Sequence, residues 1–193
     1  MLQCDNQIRL LLLKGIIHID PLDQRCIRPS SVCLRLGPVY LIPTTRGSLD
    51  IAKQDTYPHF ESREGSIECP ICVPANSFIL GHTIERISLP RSHAAWISNL
   101  SGLARLGIGA VLSSFVSPGF GERRPATLTL EISNSLNVPV YLHPGMRICH
   151  LLFFRLEGES NESYDTQVGT YSNQENPEAS QFFKDFSVID DGL

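Results

Sequence analysis

Three residues of this sequence have the types and spacing to do chemistry together. Ser101 and Arg105 stand four apart, on one face of a helix predicted over Ser101–Leu106, near its N-terminus. That arrangement offers a hydroxyl, free backbone N–H groups and a guanidinium to an anion such as phosphate. Glu131 is the odd residue in the apolar run Leu128-Thr129-Leu130-Glu131-Ile132. If Leu128 and Leu130 face a core, Thr129 and Glu131 face the opposite side. A carboxylate on the wall of a partly enclosed cavity has its pKa raised toward a general base's working range. The plainer alternative is a solvent-facing helix and an exposed strand glutamate, and the pattern alone does not separate the two.

A metal site is the rival chemistry. His59-Phe60-Glu61 has the H-x-E form and Cys69-Pro70-Ile71-Cys72 is a C-x-x-C. Zinc-dependent nucleobase deaminases use those pieces, with His and Cys on the metal and Glu moving protons. The spacing defeats it. Only seven residues separate Glu61 from Cys69, Gly65 among them, and Glu68 stands where the signature has Pro. No zinc is expected. His143 and His150 are seven apart, which puts them on opposite strand faces. A P-loop, a dinucleotide glycine fingerprint and a G-x-S-x-G elbow are absent.

The elements that must hold these side chains are mostly strands. Short strand-like runs occupy Ser31–Leu36, Val39–Pro43, Ser77–His82, Ile108–Ser113, Thr127–Ile132, Val138–Leu142 and Ile148–Leu156. Turn signals such as Gly37-Pro38, Arg46-Gly47, Pro118-Gly119 and Pro144-Gly145 separate them. That punctuation predicts a mainly β fold, a sandwich or barrel, with a few short helices. One helix opens the chain over residues 5–14, capped by Asp5 and stopped by Gly15; the other enters through Asn99 and ends at Gly107.

Bulk properties narrow the classes further. A chain of 193 residues suits one domain with a substantial core. Its net charge of −4, with 16 Lys+Arg, lacks the electrostatic footprint of a nucleic-acid binder. No run approaches the ~18–20 apolar residues a membrane span needs, and Leu10–Leu13 is broken at once by Lys14 and Gly15. Six scattered cysteines predict a reducing, cytoplasmic home. From Glu157 the composition turns polar, which divides the chain into a β domain at 1–156 and a mobile C-terminal tail at 157–193.

Read together, the segments resemble the dCTP deaminase branch of the trimeric dUTPase superfamily. Asn99-Leu100-Ser101-Gly102-Leu103-Ala104-Arg105-Leu106-Gly107 is similar to that family's Arg-Ser-Ser-Leu-Ala-Arg-Leu-Gly motif. Ser117-Pro118-Gly119-Phe120 matches its Asp-Pro-Gly-Trp turn, and Leu130-Glu131-Ile132-Ser133-Asn134 its Leu-Glu-Phe-x-Asn strand. Residues 27–37, 83–90 and 143–146 fit in order, and Tyr171-Ser172-Asn173-Gln174 resembles a lid segment that closes over nucleotide. The resemblance implies a distorted β-jelly-roll and a homotrimer with each site at a subunit boundary. It also implies hydrolytic deamination of dCTP to dUTP and ammonia. Glu131 would be the general base for a water held with Ser101. Arg105, Ser101 and Gly102 would bind the triphosphate, which travels with Mg²⁺. Ser117, Gly119 and Phe120 would lie at the sugar, and Tyr171 and Gln174 would complete a lid formed by the tail.

The departures from the family pattern fall in the site. Leu100 replaces the first motif Arg, Gly102 the second Ser, and Ser117 the Asp before Pro-Gly. Ser114-Phe115 occupies a His-Arg pair, Thr170 a Lys, and Cys33 an Asp of the N-terminal motif. Arg123 and Arg124 offset part of the lost charge. The acid–base pair survives while the phosphate and sugar grips are thinned. Alongside dCTP deamination, two readings stay open: a diverged enzyme acting on another cytosine nucleotide or nucleoside, and a non-catalytic nucleotide-binding protein of the same fold.

Overall fold

Helix α1 (Asp5–Leu13) forms where Ile8, Leu11 and Leu12 recur at helical spacing, and it buries Ile8 and Leu11 against the core. Its N-cap is Cys4 rather than Asp5. The Asp5 carboxylate reaches only the amide of Asn6, so it sits in the first turn, where negative charge suits the helix dipole. The computed structural model that shows this describes residues 1–45, 47–167 and 169–187. Arg46 of the expected Arg46-Gly47 turn lies outside the described residues, as do 168 and 188–193 of the expected tail.

Fourteen short strands follow among the described residues. They are β1 (His18–Asp20), β2 (Ile27–Arg28), β3 (Ser31–Arg35), β4 (Val39–Thr44), β5 (His59–Glu64), β6 (Ile71–Val73) and β7 (Ser77–His82). The series continues with β8 (Arg86–Ser88), β9 (His93–Asn99), β10 (Ile108–Gly109), β11 (Phe115–Val116), β12 (Thr129–Asn134), β13 (Val140–Leu142) and β14 (Arg147–Arg155). Helix α2 (Ser101–Ala104) joins β9 to β10, and α3 (Tyr164–Gln167) and α4 (Lys184–Ser187) lie in the tail. Two five-stranded sheets, in the orders β10-β12-β7-β4-β5 and β11-β9-β14-β3-β2, carry the architecture. One buried cluster draws on both: Leu34, Ile97, Leu151 and Phe153 from one sheet, Ile79, Leu130 and Ile132 from the other. The mainly β class expected from the sequence is the class observed.

Differences from the expected elements have local causes. The run Ile108–Ser113 stays a strand only over β10, because the amides of Leu112 and Ser113 turn away to the Glu131 carboxylate. Helix α2 ends earlier than Leu106, with Leu100 as its N-cap; the Asn99 side chain is occupied instead by the amide of Ala110, at 2.7 Å. Strand β9 was not expected from Ala94 and Ala95, yet it lies between β14 and β11, whose ladders fix it. Among the described residues no helix is long and apolar enough to cross a membrane.

A buried ion pair ties the layers. Glu85, 2% exposed, accepts from the Arg35 amide at 2.8 Å and from its Nε at 2.6 Å. Nearby, the Thr83 hydroxyl donates to the Glu85 carbonyl and accepts from the Leu128 amide, fixing where β12 begins. Removing one partner leaves the other charge without compensation in a poorly solvated place. Glu85→Ala is expected to cost ~3 kcal/mol of unfolding free energy, read from denaturant midpoints; a loss within ~0.5 kcal/mol would be the size of an ordinary surface change. Burial also depresses the pKa of His82, His93 and His150. Below about pH 6.5 the unfolded chain therefore binds more protons than the folded one. Thermal stability should fall between about pH 6.5 and 5, before ordinary carboxylates titrate; a flat melting temperature across that window would contradict it.

Candidate active site

Strand β12 alternates strictly: Leu130, Ile132 and Asn134 are buried, while Thr129, Glu131 and Ser133 lie on the other face. On that face Glu131 lines a cavity of about 660 Å³. Its Oε2 accepts from the amides of Leu112 (3.2 Å) and Ser113 (3.3 Å). Leu80, its register partner on β7, stands beside it, and most of the remaining wall is apolar, including Phe60, Phe78, Ile97 and Phe115.

The turn after β11 supplies a second wall. Ser117 and Phe120 line the cavity. Gly119 sits behind them at φ +75°, and a Cβ there would meet the Ser163 Cβ at 2.2 Å, so only glycine fits. Phe120 packs on Tyr164 of α3 with ring centroids 5.8 Å apart. Asp165, itself buried, accepts from the amides of Gly121 (3.2 Å) and Arg123 (3.1 Å).

The segment expected as a mobile tail folds back over this cavity. The Gln174 carbonyl accepts from the Thr127 amide at 2.9 Å, and its Oε1 accepts from the Thr129 hydroxyl at 2.9 Å. The same Thr129 hydroxyl accepts from the Glu178 amide at 3.3 Å. Tyr171 presents its hydroxyl to the Gln181 amide at 2.8 Å. Glu175 pairs with Arg124 and, at 3.6 Å, with Arg86. Tyr171, Gln174 and Glu178 all line the cavity, and burial pushes the Glu178 carboxyl upward.

Of the residues singled out from sequence, Glu131, Ser117, Phe120, Tyr171 and Gln174 meet around one cavity, with Gly119 shaping its wall. Ser101, Gly102 and Arg105 do not join them within one chain. All three are exposed on or beside α2, outside the cavity lining. Large apolar side chains are exposed as well: Trp96, its cross-strand partner Phe115, Leu106 and Leu112. Glu61 of the H-x-E is exposed and paired with Arg63 at 2.9 Å, and Cys69 is exposed. Among the described residues no group of three or more His, Cys, Asp or Glu could hold a metal ion. Sequence reasoning missed Tyr164, Asp165 and Glu178. The one signal for them was an aromatic beside an acid, Tyr164-Asp165, inside an otherwise polar stretch.

Residues 2–156 match the family described as dCTP deaminase-like. The chain is 38% identical over 200 aligned positions to a "dCTP deaminase, dUMP-forming" of Dictyoglomus turgidum, covering 99% of this chain and 100% of that protein. A protein of the same description from Sulfurihydrogenibium sp. is 35% identical, covering 96% of this chain and 99% of the relative. Among solved structures, the 2'-deoxycytidine 5'-triphosphate deaminase of Agrobacterium tumefaciens superposes with a TM-score of 0.58 at 21% identity. That match covers 79% of this chain and 46% of the other, and it shows a shared fold.

The docking of the tail depends on the close approach at Gly119. Gly119→Ala meets both a left-handed backbone and a Ser163 clash, so residues 163–182 should detach. Limited proteolysis should then cut that segment faster while the β core resists; an unchanged digestion pattern would show that the turn does not hold the tail.

Proposed function

The chain belongs to the dCTP deaminase-like family, and from that premise we propose that it hydrolytically deaminates the cytosine ring of a deoxycytidine nucleotide. The observation that carries this reading is Glu131, a carboxylate on the wall of a nucleotide-sized cavity, oriented by two amides. Both amides fall on Oε2, which makes the two oxygens inequivalent, and in this reading Oε1 takes the reacting water. Glu131 takes a proton from that water and passes it to N3 of cytosine as the hydroxide oxygen bonds to C4. The carboxylate then takes the proton of the new C4 hydroxyl and hands it to the amino nitrogen, the exocyclic C4–N bond breaks, and ammonia leaves with a C4 carbonyl behind it. One water and the cytosine ring go in, and a uracil ring and ammonia come out, so the ring step needs no oxidant.

The relatives' printed description names dCTP as substrate and dUMP as product. The dUTP expected from the sequence resemblance is therefore not the product those names give; dUMP is the product proposed here, which from dCTP takes a second water at the α-phosphorus, breaks the link between the α- and β-phosphates and releases pyrophosphate. Where a polyphosphate is the ligand, Mg²⁺ enters with it as part of the substrate.

Ser101 and Arg105 belong to this reaction only if a second copy brings them. Their exposure, together with that of the large apolar side chains Trp96, Phe115 and Leu112, supports a homotrimer in which one subunit's α2 meets the neighbour's Glu131. In that arrangement the Ser101 hydroxyl holds the attacking water and Arg105 an anionic group of the ligand. The contact is heterologous, head to tail, and closes as a ring.

Two expectations test the reading. Glu131→Gln should lower kcat for ammonia release by at least roughly 10²-fold while leaving ligand binding nearly intact; an unchanged kcat removes Glu131 from the chemistry. Mixing inactive Glu131→Gln with inactive Ser101→Ala, then dissociating and reassembling them, should restore activity to about a quarter of wild type, since one site in four then carries both groups. No recovery would place both residues in the same subunit's site or remove Ser101 from the reaction.

A further inference from the structure

Formation of dUMP from dCTP is two hydrolyses, one at C4 of the ring and one at the α-phosphorus. The reading above gives a base only to the first. The two reacting centres lie at opposite ends of a deoxynucleoside, so Glu131 does not serve both. A second water needs a second group that accepts a proton near neutral pH.

Among the described residues that line this chain's cavity, Glu178 is the other carboxylate. The remaining polar groups are Ser, Thr and Tyr hydroxyls and the Gln174 amide, none of which is a base near pH 7. Two of the phenols suit a different task. The Tyr164 oxygen accepts from the Tyr171 amide at 3.3 Å, and the Tyr171 oxygen from the Gln181 amide at 2.8 Å. Each therefore keeps its own proton to donate to a phosphate oxygen. Tyr57 gives its proton to the Ile51 carbonyl at 2.6 Å.

Glu178 is placed by its backbone, which leaves its side chain for chemistry. Its amide bonds to the Thr129 hydroxyl, and Thr129 precedes Glu131 by two residues on the same strand face. Two residues of strand set that anchor about 7 Å from Glu131. Other acids nearby are already paired: Asp165 with two amides, Glu175 with Arg124 and Arg86. The Glu178 carboxylate has no hydrogen bond or ion pair among the described residues. Burial pushes its pKa upward, toward the range of a working base.

Resting on the deamination proposed above and on its dUMP product, we infer that Glu178 is a second catalytic residue, the base for the water that attacks the α-phosphorus. That water gives a proton to Glu178 as its oxygen bonds to the α-phosphorus. The bond from that phosphorus to the α–β bridging oxygen breaks, its electron pair leaves with pyrophosphate, and Glu178 returns the proton to solvent. Repulsion between carboxylate and phosphates is offset by Arg105 of a neighbouring copy, which completes the phosphate grip, and by the Mg²⁺ that enters with the substrate.

The test follows ammonia and pyrophosphate separately from dCTP with Mg²⁺, using the full chain in wild type, Glu178→Gln and Glu178→Asp. Glu178→Gln keeps the backbone bond to Thr129, so the tail stays docked, which limited proteolysis checks. We expect it to cut pyrophosphate release by at least roughly 10²-fold while ammonia release falls less than about threefold, so that dUTP accumulates. Glu178→Asp, which keeps a carboxylate, should regain part of the pyrophosphate. A merely structural role would lower both products together, and that result overturns the inference, as does unchanged pyrophosphate release. Ammonia without pyrophosphate from wild type overturns the inference and leaves the deaminase reading standing. If wild type releases no ammonia, the deaminase reading fails, and pyrophosphate from dCTP and dUTP decides the inference alone. It stands if the release is lost in Glu178→Gln, and it falls if the release is retained there or absent from wild type.

Discussion

The alternation of β12 fixes where Glu131, the proposed base, stands. Leu130 and Ile132 are fully buried, so the strand cannot slip by one residue without driving two large aliphatic side chains into the cavity and a carboxylate into the core. Burying each such side chain is worth ~2 kcal/mol, and an uncompensated buried carboxylate costs more, so the register is strongly held. Glu131 inherits its position from its neighbours' hydrophobicity. The amides of Leu112 and Ser113 then set its orientation, and the long antiparallel ladder with β7 holds the strand that carries it.

The same strand face organises the tail. Thr129 joins the Gln174 side chain and the Glu178 amide through a single hydroxyl, donating to one and accepting from the other. Thr127 adds a backbone bond just before the strand begins. The wall that bears the proposed base therefore also bears the anchor of the segment above it, and loss of β12's register would dismantle both. Asp165 does similar work at the turn after β11, where its carboxylate accepts from the amides of Gly121 and Arg123. Buried acids in this protein are mainly braces: Glu85 for the sheets, Asp165 for the tail.

Much of this was legible in the sequence where period and hydrophobicity coincide. Strands β3, β7, β12 and β14, helix α1 and the outward face of Glu131 all follow from alternation or helical spacing in large aliphatic residues. Strand β9 was not legible, because Ala94 and Ala95 carry little β signal and its identity comes from the two ladders that flank it. The tail was legible only in part: the family resemblance placed Tyr171 and Gln174 at the site, while the packing around them was not readable. Polar composition reads as a solvated segment, yet Ser163, Asp165 and Gln174 are buried through specific hydrogen bonds that no hydropathy pattern registers. Asn99 was expected to cap α2 and instead serves the Ala110 amide, a choice between two local donors that tertiary packing makes. The relation between Ser101 and Glu131 was beyond any single chain's pattern, because the two lie on surfaces that one copy does not bring together.

The departures from the family motif acquire a shared logic in three dimensions. Leu100, in the place of a motif Arg, packs against the hydrophobic core instead of pointing a charge at a ligand. Phe115, where the family carries a cation, lines the cavity and pairs across the strands with Trp96. Ser117, in place of an Asp, presents a neutral hydroxyl to the same space. Random decay of an abandoned site would have no reason to exchange charge for well-packed apolar contact while keeping Glu131, its two orienting amides and the Gln174 anchor together. What differs from the family motif is the electrostatic character of the walls; what matches it is the carboxylate of the proposed base, Glu131.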